Sequence, residues 1–195
     1  MLNEWDAVWD LHEDQCPCDV HFVAFLEAQE IANASIFHFG TGAHHHVGIR
    51  TAQNGDGNAV LGITASRGEF DAYVKLALER PEISRSYKVL FGDIYILEER
   101  LLPEFDVATL FHLCEFRSEK NDAYDALTDL DLARMMIRKL RPGGWLLFYT
   151  GSMAFDATRA VIAELEARGL VEPAGAYKTL LLYRKPDIAK VAPSL

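Results

Sequence analysis

The sequence predicts a doubly wound, mostly parallel α/β sheet flanked by helices, and three observations support this fold class. Short, continuous apolar runs recur from residue 35 onward, longer helical stretches separate them, and the runs show no alternation of polar and apolar residues. Strands with this pattern are covered on both faces, as in parallel sheets. A chain of 195 residues that is 50% hydrophobic can bury the core that such a sheet needs.

The first 34 residues lack a clear strand pattern and predict two helices separated near Pro17. Two sets of residues have helical spacing: Trp5, Val8, Trp9 and His12, and then Phe22, Phe25, Leu26 and Gln29. We interpret residues 1–34 as an N-terminal helical cap segment, residues 35–185 as the α/β domain and residues 186–195 as a tail.

Six strands and three further helices are predicted after the cap. The strands lie at residues 36–39, 59–63, 88–91, 106–111, 145–149 and 178–183, and the helices at about 70–80, 122–139 and 155–168. Pro81, the turn at residues 141–144 and Gly169 end these helices. The last strand is predicted to run antiparallel, because the segment between Gly169 and Lys178 is too short for a helical crossover.

The net charge of −10 is unevenly distributed and argues against a polyanionic partner. Eight acidic residues and no lysine or arginine precede Arg50. Duplex nucleic acid is bound through clustered lysines and arginines, so we expect a small-molecule partner instead. No apolar run approaches the roughly 18 residues of a membrane span, and no signal peptide is visible. Cys16, Cys18 and Cys114 are predicted to be free thiols, which indicates a cytoplasmic protein.

The first predicted strand ends in a glycine turn, with the sequence Gly40-Thr41-Gly42. Glycines permit a tight turn and allow a ligand to approach the backbone closely. In an open parallel sheet, ligands lie beyond the carboxyl ends of the strands, where the winding reverses. This turn is therefore the predicted ligand site.

Five segments in order resemble the motifs of the class I S-adenosylmethionine-dependent methyltransferases. They are residues 36–42, 62–66, 92–94, 105–112 and 140–146. The resemblance implies a Rossmann-like sheet of seven strands with a reversed last hairpin, and S-adenosylmethionine as the cofactor. It also implies methyl transfer to an acceptor that the sequence does not identify.

The resemblance also implies the cofactor contacts. The methionine part would lie over Gly40 and Gly42, the ribose near Thr64 and the adenine near Asp93. The remaining residues carried over from the matching motifs are His38, Thr41, Ala65, Ile94 and Phe111.

Two positions depart from the family's pattern. His38 stands where the family has an acid before the glycine turn, and Thr64 stands where it has the acid that holds the ribose hydroxyls. A hydroxyl forms a weaker hydrogen bond than a carboxylate. A ligand-binding protein that keeps the fold without methyl transfer is therefore the alternative to an enzyme.

Three residues are candidates for catalysis. His44 follows the glycine turn, and His112 and Glu115 follow the fourth strand, on the side where an acceptor would lie. A histidine in such a place can exchange a proton near neutral pH.

Four potential zinc ligands, His12, Cys16, Cys18 and His21, lie within ten residues. Their spacing differs from that of zinc fingers and ribbons, and cysteine is also an ordinary small buried residue. The sequence favours no metal site, and a metalloprotein that uses this cluster is a further alternative.

Overall fold

The computed structural model describes residues 4–187. The strands are β1 Ser35–Phe39, β2 Ala59–Thr64, β3 Tyr87–Phe91, β4 Phe105–Thr109, β5 Leu140–Tyr149, β6 Glu172–Tyr177 and β7 Leu180–Arg184. The helices are α1 Cys18–Ala28, α2 His46–Asn54, α3 Arg67–Glu79, α4 Glu119–Asp122, α5 Asp129–Lys139 and α6 Phe155–Ala167.

The seven strands form one sheet in the order β3-β2-β1-β4-β5-β7-β6. The first five strands are parallel to one another, and β7 is antiparallel to both β5 and β6. The predicted fold class and the reversed last hairpin are confirmed. The winding reverses between β1 and β4, which places a crevice at the carboxyl ends of these two strands.

Helices cover both faces of the sheet and bury a core on each. One apolar cluster joins the sheet to α1, α2 and α3 through residues such as Phe22, Val47 and Tyr73. The other joins it to α5 and α6 through residues such as Met136 and Leu165. Because α1 belongs to the first cluster, it packs as part of the α/β core.

The prediction of a helix from Trp5 to His12 is wrong. The described residues before α1 contain no helix, and Trp5 instead forms an isolated parallel bridge with Ser66. Its N–H donates to the carbonyl of Ala65 at 3.1 Å. Val8 and Trp9 are 52% and 56% exposed, so the apolar spacing does not mark a buried helix face.

The helix predicted at residues 122–139 begins later, at Asp129. Asp125 adopts a left-handed conformation with φ 54°, which separates α4 from α5. Thr128 then caps α5 by accepting a hydrogen bond from the N–H of Asp131 at 3.1 Å. Strand β6 was not predicted from the sequence, because Pro173 and Gly175 interrupt its apolar pattern.

The remaining predictions concern membrane spans and the carboxyl-terminal tail. None of the helices between residues 4 and 187 is long and apolar enough to cross a membrane. Most of the predicted tail, residues 188–195, lies outside the described residues.

Candidate functional site

A cavity of about 490 Å³ opens at the carboxyl ends of the central strands. The segment before α1, the glycine turn after β1, the end of β2 and the turns after β4 and β5 enclose it. Of the predicted site residues, the cavity is lined by Gly40, Gly42, His44, Thr64, Ala65, His112 and Glu115. His38, Thr41, Asp93, Ile94 and Phe111 are not among its lining residues. The structure therefore brings seven of the predicted site residues together around one cavity.

The glycine turn leaves the cavity floor without side chains. Gly40 and Gly42 have φ of 84° and 55°, a conformation that disfavours residues with a Cβ. A Cβ on Gly42 would collide with the His44 ring and lie 3.0 Å from the carbonyl oxygen of Trp9. Both the backbone conformation and the available space therefore require glycine at this position.

The end of β2 carries a carboxylate that the sequence analysis missed. The Thr64 hydroxyl donates to Glu69 Oε2 at 2.6 Å, and Glu69 is only 4% exposed. Ser66 caps α3 by accepting a hydrogen bond from the N–H of Glu69. The spacing Ser-x-x-Glu is a helix-start signal, and it could have placed Glu69 in the first turn beside the strand end.

Asp19 and two histidines form a buried polar group beside the glycine turn. His38 Nε2 lies 3.5 Å from Asp19 Oδ1, and His44 Nε2 lies 3.9 Å from Asp19 Oδ2. Burial would raise the pKa of Asp19, but the nearby histidines outweigh it and lower that pKa. His38 Nδ1 lies 2.9 Å from the Thr109 hydroxyl. His38 thus occupies the core behind the cavity.

The proton position on His44 follows from its hydrogen bond to the backbone. The N–H of His46 donates to His44 Nδ1 at 3.1 Å, so the neutral ring carries its proton on Nε2. Burial lowers the pKa of His44, which favours this neutral form. The ring therefore offers the cavity an N–H donor.

His45 has a structural role. Its Nε2 lies 3.0 Å from the carbonyl of Glu69, and its Nδ1 lies 2.9 Å from the Tyr87 hydroxyl. Because a carbonyl only accepts, Nε2 carries the proton and Nδ1 accepts from Tyr87. Burial lowers the pKa of His45 to about 4. The neutral ring thus ties α2 to the first turn of α3.

Two cysteines and a histidine meet at the wall of the cavity. The sulfur atoms of Cys16 and Cys18 are 3.5 Å apart, and Cys18 Sγ is 3.8 Å from His112 Nε2. The Cys18 thiol and the nearby His112 lower the pKa of Cys16 to about 5, although burial opposes this. Burial would lower the pKa of His112, but its bonds to Cys16 and Glu115 raise it to about 10.

Glu115 holds His112 from the other side of the ring. Its Oε2 lies 3.1 Å from His112 Nδ1, while Oε1 accepts hydrogen bonds from the Ser152 hydroxyl and the N–H of Met153. Burial would raise the pKa of Glu115, and these partners lower it instead. The carboxylate is therefore ionised and fixes the orientation of the imidazole.

The other two members of the cysteine–histidine cluster in the sequence lie elsewhere. His21 Nδ1 is 2.8 Å from the Thr179 hydroxyl, and His21 does not belong to the group of Cys16, Cys18 and His112. His12 is exposed and lies on the cavity rim. In the described part of the chain, the potential ligand set that converges is Cys16, Cys18 and His112.

Asp93 is engaged within the protein. Its Oδ1 accepts from the N–H of Tyr95 at 2.9 Å, and its Oδ2 accepts from Asn121 Nδ2 and the Tyr124 hydroxyl, both at 2.7 Å. Three other predicted cofactor contacts, Ile94, Thr41 and Phe111, are buried, at 3%, 1% and 1% exposure. None of these four residues lines the cavity.

No protein-family model matches the chain, and no curated protein matches it in sequence. Solved structures do resemble it. The [4+2]-cyclase SpnF has a TM-score of 0.61 at 16% identity, over 95% of this chain and 86% of that one. The N-methyltransferase NodS from Bradyrhizobium japonicum WM9, in complex with S-adenosyl-L-homocysteine, has a TM-score of 0.58 at 16% identity, over 86% of each chain.

A third similar structure is the precorrin-6y C5,15-methyltransferase from Geobacter metallireducens GS-15. Its TM-score is 0.58 at 12% identity, over 85% of this chain and 86% of that one. At such identities the likeness concerns the fold, and it agrees with the order and direction of the seven strands. The chain thus has the fold of the class I S-adenosylmethionine-dependent methyltransferases.

Proposed function

We propose that this chain binds S-adenosylmethionine and transfers its methyl group to a small-molecule acceptor. The observation that carries the proposal is the glycine turn, which lies at the point where the winding reverses and forms the floor of a cavity of about 490 Å³. Similar structures include methyltransferases, one of them in complex with S-adenosyl-L-homocysteine. The three free thiols support a cytoplasmic location for the reaction.

The cofactor's methionine part would lie over Gly40 and Gly42, where no side chain blocks its approach. Its ribose would lie at the end of β2, where the Glu69 carboxylate, held by Thr64, accepts hydrogen bonds from the hydroxyls. We keep the division of the chain at residues 34 and 185, and a cofactor contact by Ala65 at the end of β2, as parts of this proposal.

The acceptor would lie between the glycine turn and the wall formed by His112. Methyl transfer is a displacement at a sulfonium carbon, and the protein contributes mainly by positioning donor and acceptor. His44 would orient the acceptor through its Nε2–H, because its Nδ1 is already bonded to the backbone. Glu115 would act through His112, which it orients.

Titration calorimetry with S-adenosylmethionine and S-adenosyl-L-homocysteine tests the proposal. We expect both ligands to bind the unmodified chain. The Gly42→Ala variant should bind each of them at least tenfold more weakly. Gly55→Ala is the matched control, since Gly55 also has positive φ, of 70°, but a Cβ there meets nothing within 4 Å. Absence of binding by the unmodified chain, or an equal loss in both variants, would contradict the proposal.

Binding without turnover is the second candidate function. The cyclase among the similar structures shows that this fold also accommodates reactions other than methyl transfer. His38, where the resemblance expects an acid, favours this alternative. Formation of S-adenosyl-L-homocysteine in the presence of a panel of thiols, amines and phenols separates the two functions.

A further inference from the structure

We propose that Cys16, Cys18 and His112 bind one Zn²⁺ ion whose fourth coordination position faces the cavity. The three residues come from two distant parts of the chain, because His112 follows Cys18 by 94 positions. Their ligand atoms all lie within 4.8 Å of one another. This site does not depend on the proposed methyl transfer.

The distances match the edges of a zinc tetrahedron. Zinc–sulfur and zinc–nitrogen bonds of about 2.3 and 2.0–2.1 Å imply a sulfur–sulfur edge of about 3.8 Å and a sulfur–nitrogen edge of about 3.6 Å. The sulfur atoms of Cys16 and Cys18 are 3.5 Å apart, and Cys18 Sγ is 3.8 Å from His112 Nε2. Shifts of a few tenths of an ångström would therefore bring these two edges to the tetrahedral values, and the third edge, from Cys16 Sγ to His112 Nε2, is within 4.8 Å.

The backbone between the cysteines arranges the two sulfurs. Pro17 is the residue before α1, with φ −78° and ψ 7°, and Cys18 is the first residue of that helix. This bend directs the side chains on either side of the proline toward the same point.

His112 has a carboxylate at its other ring nitrogen, as metal-binding histidines usually do. Glu115 Oε2 lies 3.1 Å from His112 Nδ1, which leaves Nε2 directed at the sulfurs. Glu115 is held in turn by Ser152 and by the N–H of Met153. Carboxylate–histidine pairs of this kind fix the ring orientation and increase the basicity of the ligand.

The donor set favours zinc over hard cations. When zinc displaces the protons from both thiols and from His112 Nε2, the two thiolates and the imidazole carry a charge of −2, which the divalent ion neutralises. Calcium and magnesium require oxygen ligands, whereas sulfur and imidazole suit zinc. Neither His12 nor His21 of the sequence cluster belongs to the set.

The fourth position is open to the cavity, because all three ligand residues line it. Three protein ligands with one open position are typical of zinc sites that bind water or a substrate atom. His112 also adjoins the glycine turn, since a Cβ on Gly40 would lie 3.4 Å from its Cδ2. A bound ion would thus stand beside the place proposed for the cofactor.

Metal titration of the full chain without an affinity tag, under a non-chelating reductant, tests the site. We expect one equivalent of zinc, and with Co²⁺ the absorption bands of a tetrahedral thiolate site. Cys16→Ser, Cys18→Ser and His112→Ala should each weaken zinc binding at least tenfold. Cys114→Ser and His12→Ala are the matched controls and should bind zinc as the unmodified chain does.

A second measurement avoids variants that fail to fold. Zinc should slow alkylation of Cys16 and Cys18 in the unmodified chain at least tenfold, and leave Cys114 unchanged, when the modified peptides are quantified by mass spectrometry. Less than a tenth of an equivalent of zinc, or equal protection of all three cysteines, would overturn the proposal. Loss of S-adenosylmethionine binding alone would leave it intact, since the two tests use different ligands.

Discussion

The Thr64 hydroxyl donates a hydrogen bond of 2.6 Å to the Glu69 carboxylate, which places an acidic group at the end of β2. The other oxygen of Glu69 accepts from the N–H of Trp9 at 3.4 Å. Burial raises the pKa of Glu69, and these two bonds oppose that shift. The helix after β2 thus brings a carboxylate to the end of that strand, beside the place proposed for the cofactor's ribose.

Glu69→Gln should weaken S-adenosylmethionine binding about ten- to a hundredfold. Hydrogen bonds to a charged group contribute about 1.5–3 kcal/mol, and the amide removes the charge while it keeps the size of the side chain. Calorimetric titration measures the change. Glu79→Gln, an exposed position at the other end of α3, is the control and should bind the cofactor normally. Equal affinities of the two variants would contradict a role for Glu69 at the ribose.

Trp5→Ala should loosen the segment before α1, which lines the cavity. The Trp5 ring packs edge-on against Phe116, with centroids 5.0 Å apart, and such pairs contribute about 0.5–1.5 kcal/mol. The same segment accepts a hydrogen bond from the N–H of Ala43 at the Trp9 carbonyl, at 2.8 Å. Hydrogen exchange of the Ala43 amide therefore reports opening of the segment, and we expect it to accelerate about two- to tenfold.

Trp9→Ala is the matched control for this measurement. The Trp9 side chain is 56% exposed, and its hydrogen bonds to Glu69 and Ala43 use only backbone atoms. Exchange at Ala43 should change little in this variant. If both variants accelerated exchange equally, the contact between Trp5 and Phe116 would not be what holds the segment.

Local patterns predicted the glycine turn, because Gly40 and Gly42 directly follow an apolar strand. They could not predict the cluster of Cys16, Cys18 and His112, since only the completed sheet brings the turn after β4 to the start of α1. The extended segment at Trp5 was mistaken for a helix for a similar reason. Its hydrogen bonds run to Ala65 and Ser66, and no pattern within the segment reveals distant partners.

The stability of the chain should fall as the pH falls from about 6.5 to about 4, partly through His45. The unfolded chain takes up a proton near pH 6.5, whereas burial lowers the pKa of folded His45 to about 4. Its contribution is therefore fully present above pH 6.5 and is lost as the pH falls through this window. The difference between the pKa of His45 in the unfolded and in the folded chain corresponds to about 3 kcal/mol of unfolding free energy.

Urea unfolding at several pH values measures this contribution. His45→Gln keeps an amide donor for the Glu69 carbonyl but does not titrate, so its free energy of unfolding should depend less steeply on pH between 4 and 6.5. His12→Gln, at an exposed position, should keep the slope of the unmodified chain. The same slope in all three proteins would show that His45 does not carry this dependence.

Asp93→Ala should destabilise the chain by about 3 kcal/mol. The carboxylate is 6% exposed and accepts hydrogen bonds from Tyr95, Asn121 and Tyr124. Removal of the carboxylate breaks all three hydrogen bonds to a largely buried charged acceptor, which is costly. Urea unfolding measures the loss, and Asp156→Ala, at a position 91% exposed, should change stability by less than about 0.5 kcal/mol.

The same variant distinguishes the two roles considered for Asp93. If its carboxylate held the adenine, Asp93→Ala would weaken S-adenosylmethionine binding and leave the stability of the ligand-free chain nearly unchanged. The geometry favours the opposite result, because both oxygens are already engaged by internal donors and the residue does not line the cavity. Unfolding and calorimetric titration of one preparation, below the unfolding transition, therefore decide between a structural and a ligand-binding aspartate.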